Sequence, residues 1–300
     1  MRLTLALMIS CGSAIDDEDD GGEGIVIGGG GADPTMADCM DWLAQSQSVD
    51  IPHQCSTDEY RGIVEALGGA IFPVGTDRYY VAWFPPDWDG ASVIYAVHGS
   101  IGCAEMMADL FAEAASGRYA VLALQFVSQG SQDYDDEATL YDNLQAMHAE
   151  AAEHCPVERA RRVYYGYSRG GGRGYGLAAR DAEAAALLDA VVIDSGTSTL
   201  AALSGWGDES LRESRFWLWC GTRDPDPIDS SRTTCAVMEE DMEPWIASRS
   251  GTVDALVQEE GGCHGMFFTD CDANCDSCRR RGRDNLGPSL PLLFDYIDGL

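Results

Sequence analysis

Three hundred residues suit one large α/β domain or two small ones, and 45% hydrophobic with 9% aromatic residues exclude a disordered chain. The balance is strongly acidic, with 50 Asp and Glu against 19 basic residues, all of them arginine, for a net charge of −31. A field of that sign repels nucleic acid and anionic membrane surfaces, so neither is an expected partner, and the acidity reads as a solvated surface suited to salt.

The chain opens with "MRLTLALMISC": one arginine, a short apolar run, then Cys11. The run is too short for a permanent membrane-spanning helix. It resembles a bacterial lipoprotein signal with its lipobox over residues 8–11, Met8 standing where leucine is usual. That resemblance implies lipid on Cys11 as the first mature residue, and hence membrane contact only through the anchor. A plain secretory signal cut nearby is the alternative, and either one exports the protein. The export matters for the cysteines. Setting Cys11 aside, Cys39, Cys55, Cys103, Cys155, Cys220, Cys235, Cys263, Cys271, Cys275 and Cys278 form an even set, which reads as a disulfide framework. Local pairs such as Cys39 with Cys55 are expected, with the full connectivity open. The cluster "CHGMFFTDCDANCDSC" (263–278) lacks the doubled C-x-x-C form of a zinc site, so it is read as disulfides; no metal and no cofactor is expected.

Residues 12–35 are glycine and acid, a flexible tether rather than core. The domains are therefore read as a signal over 1–11, a tether over 12–35 and a catalytic domain over 36–300, which begins with a short Cys-bearing preamble over 36–60. Apolar and β-branched runs then recur as strands at 78–84, 92–99, 119–126, 162–168, 190–196, 215–221 and 252–260. Helical spacing marks 104–116 and 137–154 clearly, 171–184 and 239–249 more weakly, and 288–300 as a closing helix. Alternation of this kind, with near-continuous apolar strands, predicts an α/β fold: a mostly parallel central sheet with helices on both faces.

One stretch carries the chemistry. "RVYYGYSRGGG" (162–172) sets a single serine between glycines, directly after a strand and before a helix. Gly166-Tyr167-Ser168-Arg169-Gly170 fits G-x-S-x-G, the nucleophile elbow, in which a strained strand-to-helix turn projects the serine above the sheet. The flanking glycines let strand and helix come close, and the helix start offers N–H groups to an oxyanion. A serine nucleophile needs a base and an orienting acid. The only histidine after Ser168 is His264, in a loop beyond the last strand. Asp224, in the turn after "FWLWCG", is the expected acid, with Asp226 as runner-up; Asp194, ending "VVID", is a further alternative. The oxyanion donors are expected to be the backbone N–H of Arg169 and that of Ser100 or Ile101, in "AVHGSIGC" (96–103). His98 reads as a structural histidine of that loop; His53, His148 and His154 read as surface residues. Trp206, in "LSGWGDES", is a candidate for substrate contact or for packing.

With HGS (98–100), GYSRGG (166–171), GTRD (221–224) and CHG (263–265) in this order, residues from about 78 to 300 resemble an α/β-hydrolase. Export, size and the His-Gly loop make the chain most similar to secreted polyhydroxybutyrate depolymerase-like and feruloyl-esterase-like serine hydrolases. Tannase-type esterases differ, since Tyr167 precedes Ser168 here and Cys263 comes before His264. Next to the histidine, Cys263 is expected to tie that loop to Cys220 or to the 271–278 cluster. The resemblance implies a carboxylic ester hydrolase working through Ser168, His264 and Asp224, with a small-molecule or polymeric ester as substrate and a monomeric state. The short segment from 194 to 215 leaves room for little or no lid. A peptidase of prolyl-oligopeptidase-like type and a catalytically inactive surface-binding module are the competing readings.

Overall fold

The computed structural model describes residues 33–45, 62, 64–76, 78–100, 102–127, 134–184, 186–273, 275, 278–281 and 284–300. Cys11, Ile101, His53 and Cys55 lie outside them. Eight strands build one sheet: β1 (Ala70–Val74), β2 (Arg78–Trp83), β3 (Ser92–Val97), β4 (Ala120–Gln125), β5 (Arg161–Tyr167), β6 (Ala190–Asp194), β7 (Arg215–Gly221) and β8 (Thr252–Glu259). Their spatial order is β1-β2-β4-β3-β5-β6-β7-β8. β1 and β2 are antiparallel, β2 runs antiparallel to β4, and every pair from β4 to β8 is parallel.

The helices bounded within the described residues are α1 (Met36–Ala44), α2 (Ala104–Ala114), α3 (Glu137–His154), α4 (Arg169–Glu183), α5 (Thr234–Val237), α6 (Glu243–Ala247) and α7 (Ser289–Gly299); a π turn over Met238–Met242 joins α5 to α6. Side chains alternate across each strand, so every central strand feeds both faces. On one face Tyr95, Leu122, Tyr164, Ile193 and Leu218 pack toward α3, α4 and α5. On the other, Ile94, Val121, Tyr165, Val192 and Trp217 pack toward α2 and α7. That double burial is why β4 and β5 read as unbroken apolar runs.

Each expected strand and helix is present, with ends shifted by a few residues. β1 escaped the sequence reading. It contains Pro73 and lies at the sheet edge, paired only with β2, where a missing N–H is tolerated. The preamble holds α1, which starts with a capping box between Thr35 and Asp38.

The disulfides differ from the expected local pairing. Cys39 bonds Cys155, 116 residues away, joining α1 to the end of α3. Cys220 bonds Cys235, Cys263 bonds Cys275, and Cys271 bonds Cys278; Cys103 is also disulfide-bonded. The sulfurs of Cys263, Cys271 and Cys278 lie within 4.8 Å of one another. They belong to two neighbouring disulfides and so offer no thiolate to a metal. Disulfides at this density belong to an oxidising compartment. No helix among the described residues is long and apolar enough to cross a membrane.

Two histidines expected at the surface are half-buried. The Nδ1 of His148 hydrogen-bonds the Tyr95 hydroxyl at 2.7 Å, and His154 stacks on Trp42 with ring centres 5.2 Å apart. His148 thus meets the sheet at β3 and His154 meets α1, contacts that the mixed polar pattern of α3 did not reveal.

Candidate active site

β5 delivers Ser168 to the carboxyl edge of the sheet, and α4 begins at the next residue. Ser168 has φ 52° and ψ −114°, in the left-handed region that costs a non-glycine residue about 1–3 kcal/mol. Its surroundings hold it there. The Ser168 N–H donates to the Asp194 carbonyl at 2.8 Å, and its own carbonyl accepts from the Gly172 N–H at 2.9 Å. The glycines on either side are steric requirements. A Cβ on Gly166 would stand 2.7 Å from the Gly170 backbone, and one on Gly170 would stand 2.6 Å from the Val97 carbonyl oxygen. No side chain fits either gap.

His264 approaches from the loop after β8. Its Nε2 lies 2.7 Å from Ser168 Oγ, and its Nδ1 lies 2.9 and 3.0 Å from the two carboxylate oxygens of Asp224. An ionised carboxylate only accepts, so Nδ1 carries the proton and donates to Asp224. Nε2 is then left to accept from the serine hydroxyl. Asp224 is 2% exposed, in the turn after β7 that the Cys220–Cys235 disulfide braces.

The alternatives are engaged elsewhere. Asp226 accepts from Thr197 Oγ1 at 2.6 Å and from the N–H groups of Ile228 and Asp229. It ties the loop after β7 to the loop after β6. Asp194 is fully buried and accepts from the Tyr165 hydroxyl and from the Met266 N–H. Ser195 Oγ accepts from the Gly265 N–H at 2.9 Å, Tyr167 donates to the His264 carbonyl at 3.2 Å, and Cys263 is bonded to Cys275. The histidine loop is thus fastened on every side of His264. Of the two tethers expected for Cys263, the cysteine cluster is the one used.

Burial by itself would push the His264 imidazole down. The hydrogen bond and charge of Asp224, with the charge of Asp194, outweigh it and hold the imidazole above the usual histidine value. Burial pushes the Asp194 carboxyl up to about 6, although the Tyr165 hydroxyl, the Met266 N–H and His264 favour its ionised form. His98 is buried; its Nδ1 donates to the Gly99 carbonyl at 2.7 Å, and burial pushes the ring down to about 4, so it stays neutral. It serves the loop, as expected.

That loop turns tightly from Gly99 to Gly102, whose N–H donates to the Gly99 carbonyl at 3.2 Å. Ser100 stands at its corner. A Cβ on Gly99 would come within 2.9 Å of Ser168 Cβ, so the turn lies directly against the serine. Arg169 is the first residue of α4, where helix N–H groups lack intrahelical acceptors. A pocket of about 360 Å³ opens beside Ser168, lined by Ser100, Arg169 and Arg173, with Thr197, Ala202 and Ile228 among the residues opposite. Residues 195–214 form turns and bends without a helix. Trp206 is half-buried, its indole nitrogen beside Gly176, and it does not line this pocket.

Sequence reasoning missed the supports: Tyr165, Ser195 and Tyr167 around the histidine loop, and Glu137 and Arg173 in the pocket. The signal for Asp194 was present, as a carboxylate closing a fully apolar strand.

No protein-family model and no curated protein matches the sequence. Among solved structures, a highly thermostable carboxyl esterase from Bacillus coagulans matches with a TM-score of 0.53 at 12% identity, covering 77% of this chain and 97% of that one. A predicted CIB-like hydrolase from Thermoplasma acidophilum matches with a TM-score of 0.51 at 18% identity, covering 77% and 98%. The sheet order, with β2 as the one strand antiparallel to its neighbours, and these likenesses define the fold as that of the α/β-hydrolases.

Proposed function

We propose that the protein is an exported serine hydrolase that cleaves carboxylic esters. The observation that carries this reading is the unbroken chain from Ser168 Oγ through His264 to the buried carboxylate of Asp224. As Ser168 attacks the ester carbonyl, His264 Nε2 takes its proton. Asp224 keeps the imidazole in the right tautomer and stabilises its cation. The oxyanion is received by the N–H of Arg169 and by one from the turn at Ser100 and Ile101. The alcohol leaves with the proton from His264, and water, activated by the same nitrogen, releases the acid.

An open pocket with no helical lid among the described residues, and with Ala202, Pro227 and the 55%-exposed Ile228 in its lining, supports a polyester or bulky aromatic ester over a membrane lipid. The disulfides support export, and a lipid on Cys11 would place the enzyme at the cell envelope. The test is hydrolysis of 4-nitrophenyl esters from acetate to long chain by the oxidised protein, beside Ser168→Ala. Turnover by the wild type alone supports the reading, and the chain-length profile sizes the pocket. Equal rates in both proteins would place the chemistry elsewhere.

A further inference from the structure

The pocket beside Ser168 is positively charged in a protein of net charge −31. Its charged lining is Arg169, Arg173 and Glu137. Arg173 and Glu137 cancel, paired at 2.7 Å. Arg169 remains. Acidic side chains outnumber arginines 50 to 19, yet no carboxylate among the described residues pairs with Arg169.

Its side chain is nevertheless held in place. The guanidinium carbon sits 4.3 Å from the centre of the Tyr134 ring, and Nε donates to Ser100 Oγ at 3.1 Å. Arg169 is exposed, and the ring contact and the hydrogen bond to Ser100 together restrain its guanidinium. The two terminal nitrogens make no hydrogen bond among the described residues. A planar pair of donors, oriented beforehand and facing a pocket, matches a carboxylate in two-point geometry. Screening in salt confines the repulsion from distant surface carboxylates to about 8–10 Å.

We propose that Arg169 is a substrate-recognition residue and that the natural ester carries a free carboxylate, on its acyl or on its alcohol part, which Arg169 binds. This rests on the hydrolase reading above and narrows it to a substrate class. Its backbone N–H would serve the oxyanion while its side chain reads the substrate, so the same residue would couple recognition to the reacting carbonyl.

Two matched pairs test it. For the acyl side, mono-4-nitrophenyl glutarate is compared with its methyl ester; for the alcohol side, 4-acetoxybenzoate is compared with methyl 4-acetoxybenzoate. The readout is the ratio of kcat/KM for acid over methyl ester, in wild type, in Arg169→Gln and in Arg169→Lys. Comparing ratios between proteins removes differences in intrinsic reactivity and any general loss in a variant. In one arm, the ratio is expected to fall by at least about tenfold in Arg169→Gln, with Arg169→Lys between, and that arm identifies the side of the ester. Should Arg169→Gln fail to fold, Arg169→Lys supplies the comparison, with a smaller fall of the same ratio in one arm. Unchanged ratios in both arms overturn the inference while leaving the hydrolase reading intact. No turnover of any of the four esters, with no fluorophosphonate adduct on Ser168, overturns the hydrolase reading itself.

Discussion

Replacing Asp194 by asparagine should make the protein's stability less dependent on pH between about 4 and 6. Asp194 is fully buried, and its carboxyl is pushed from 3.8 up to about 6. Between those values the unfolded chain has released the proton and the folded chain still holds it. Stability therefore falls as pH rises through this window and levels off above about 6. At about 1.4 kcal/mol per pH unit, the gap amounts to about 3 kcal/mol. Asparagine keeps an oxygen for the Met266 N–H but never ionises. The stability difference between wild type and Asp194→Asn should thus shift by about 2.4 kcal/mol in favour of the variant from pH 4 to pH 7, the rest having shifted below pH 4. Other carboxylates titrate in the same range, but they are common to both proteins and drop out of the difference. Chemical denaturation of the oxidised proteins at half-unit pH steps measures it. A difference that stays flat, or that moves in favour of wild type, would refute the assignment of a proton to this buried site.

Asp224→Asn should lower kcat by about 10³–10⁴-fold, because an amide can no longer favour the imidazole tautomer that leaves Nε2 free. The acid limb of the rate profile, which needs unprotonated His264, should lie above the usual histidine value in wild type and move down in this variant; a stationary limb contradicts the pairing. Removing the Cys263–Cys275 disulfide by double alanine substitution opens a link spanning 12 residues next to His264 and should cost about 2–3 kcal/mol of stability. It should lower kcat more than it raises KM, since the loosened group is the base and not the pocket.

Much of this architecture was legible because burial leaves a pattern. β4 and β5 are covered on both faces, so each reads as an uninterrupted apolar run, and the elbow reads directly from glycines that have no room for a side chain. The order of Ser168, Asp224 and His264 along the chain also follows from sequence. Asp224 and Asp226 could not be told apart there, being two residues apart in one turn. Only their partners separate them, His264 for one and Thr197 for the other. Long-range pairing was equally hidden. Cys39 finds Cys155 because α1 packs beside α3, which no local spacing encodes, and the expectation of a bond to Cys55 followed chain distance alone. Edge strand β1 was lost to its proline. The supports of the histidine loop arise from β5 and the end of β6, 97 and 70–72 residues upstream, and the sheet brings them under His264.

The proposed chemistry rests on Ser168 as a nucleophile activated by His264. The most direct measurement is covalent labelling with a fluorophosphonate, followed by mass analysis of the peptide containing residues 162–172. One adduct per chain is expected, located on Ser168, absent from Ser168→Ala and strongly slowed in His264→Ala. An unlabelled wild type, or an adduct that persists in Ser168→Ala, would contradict it.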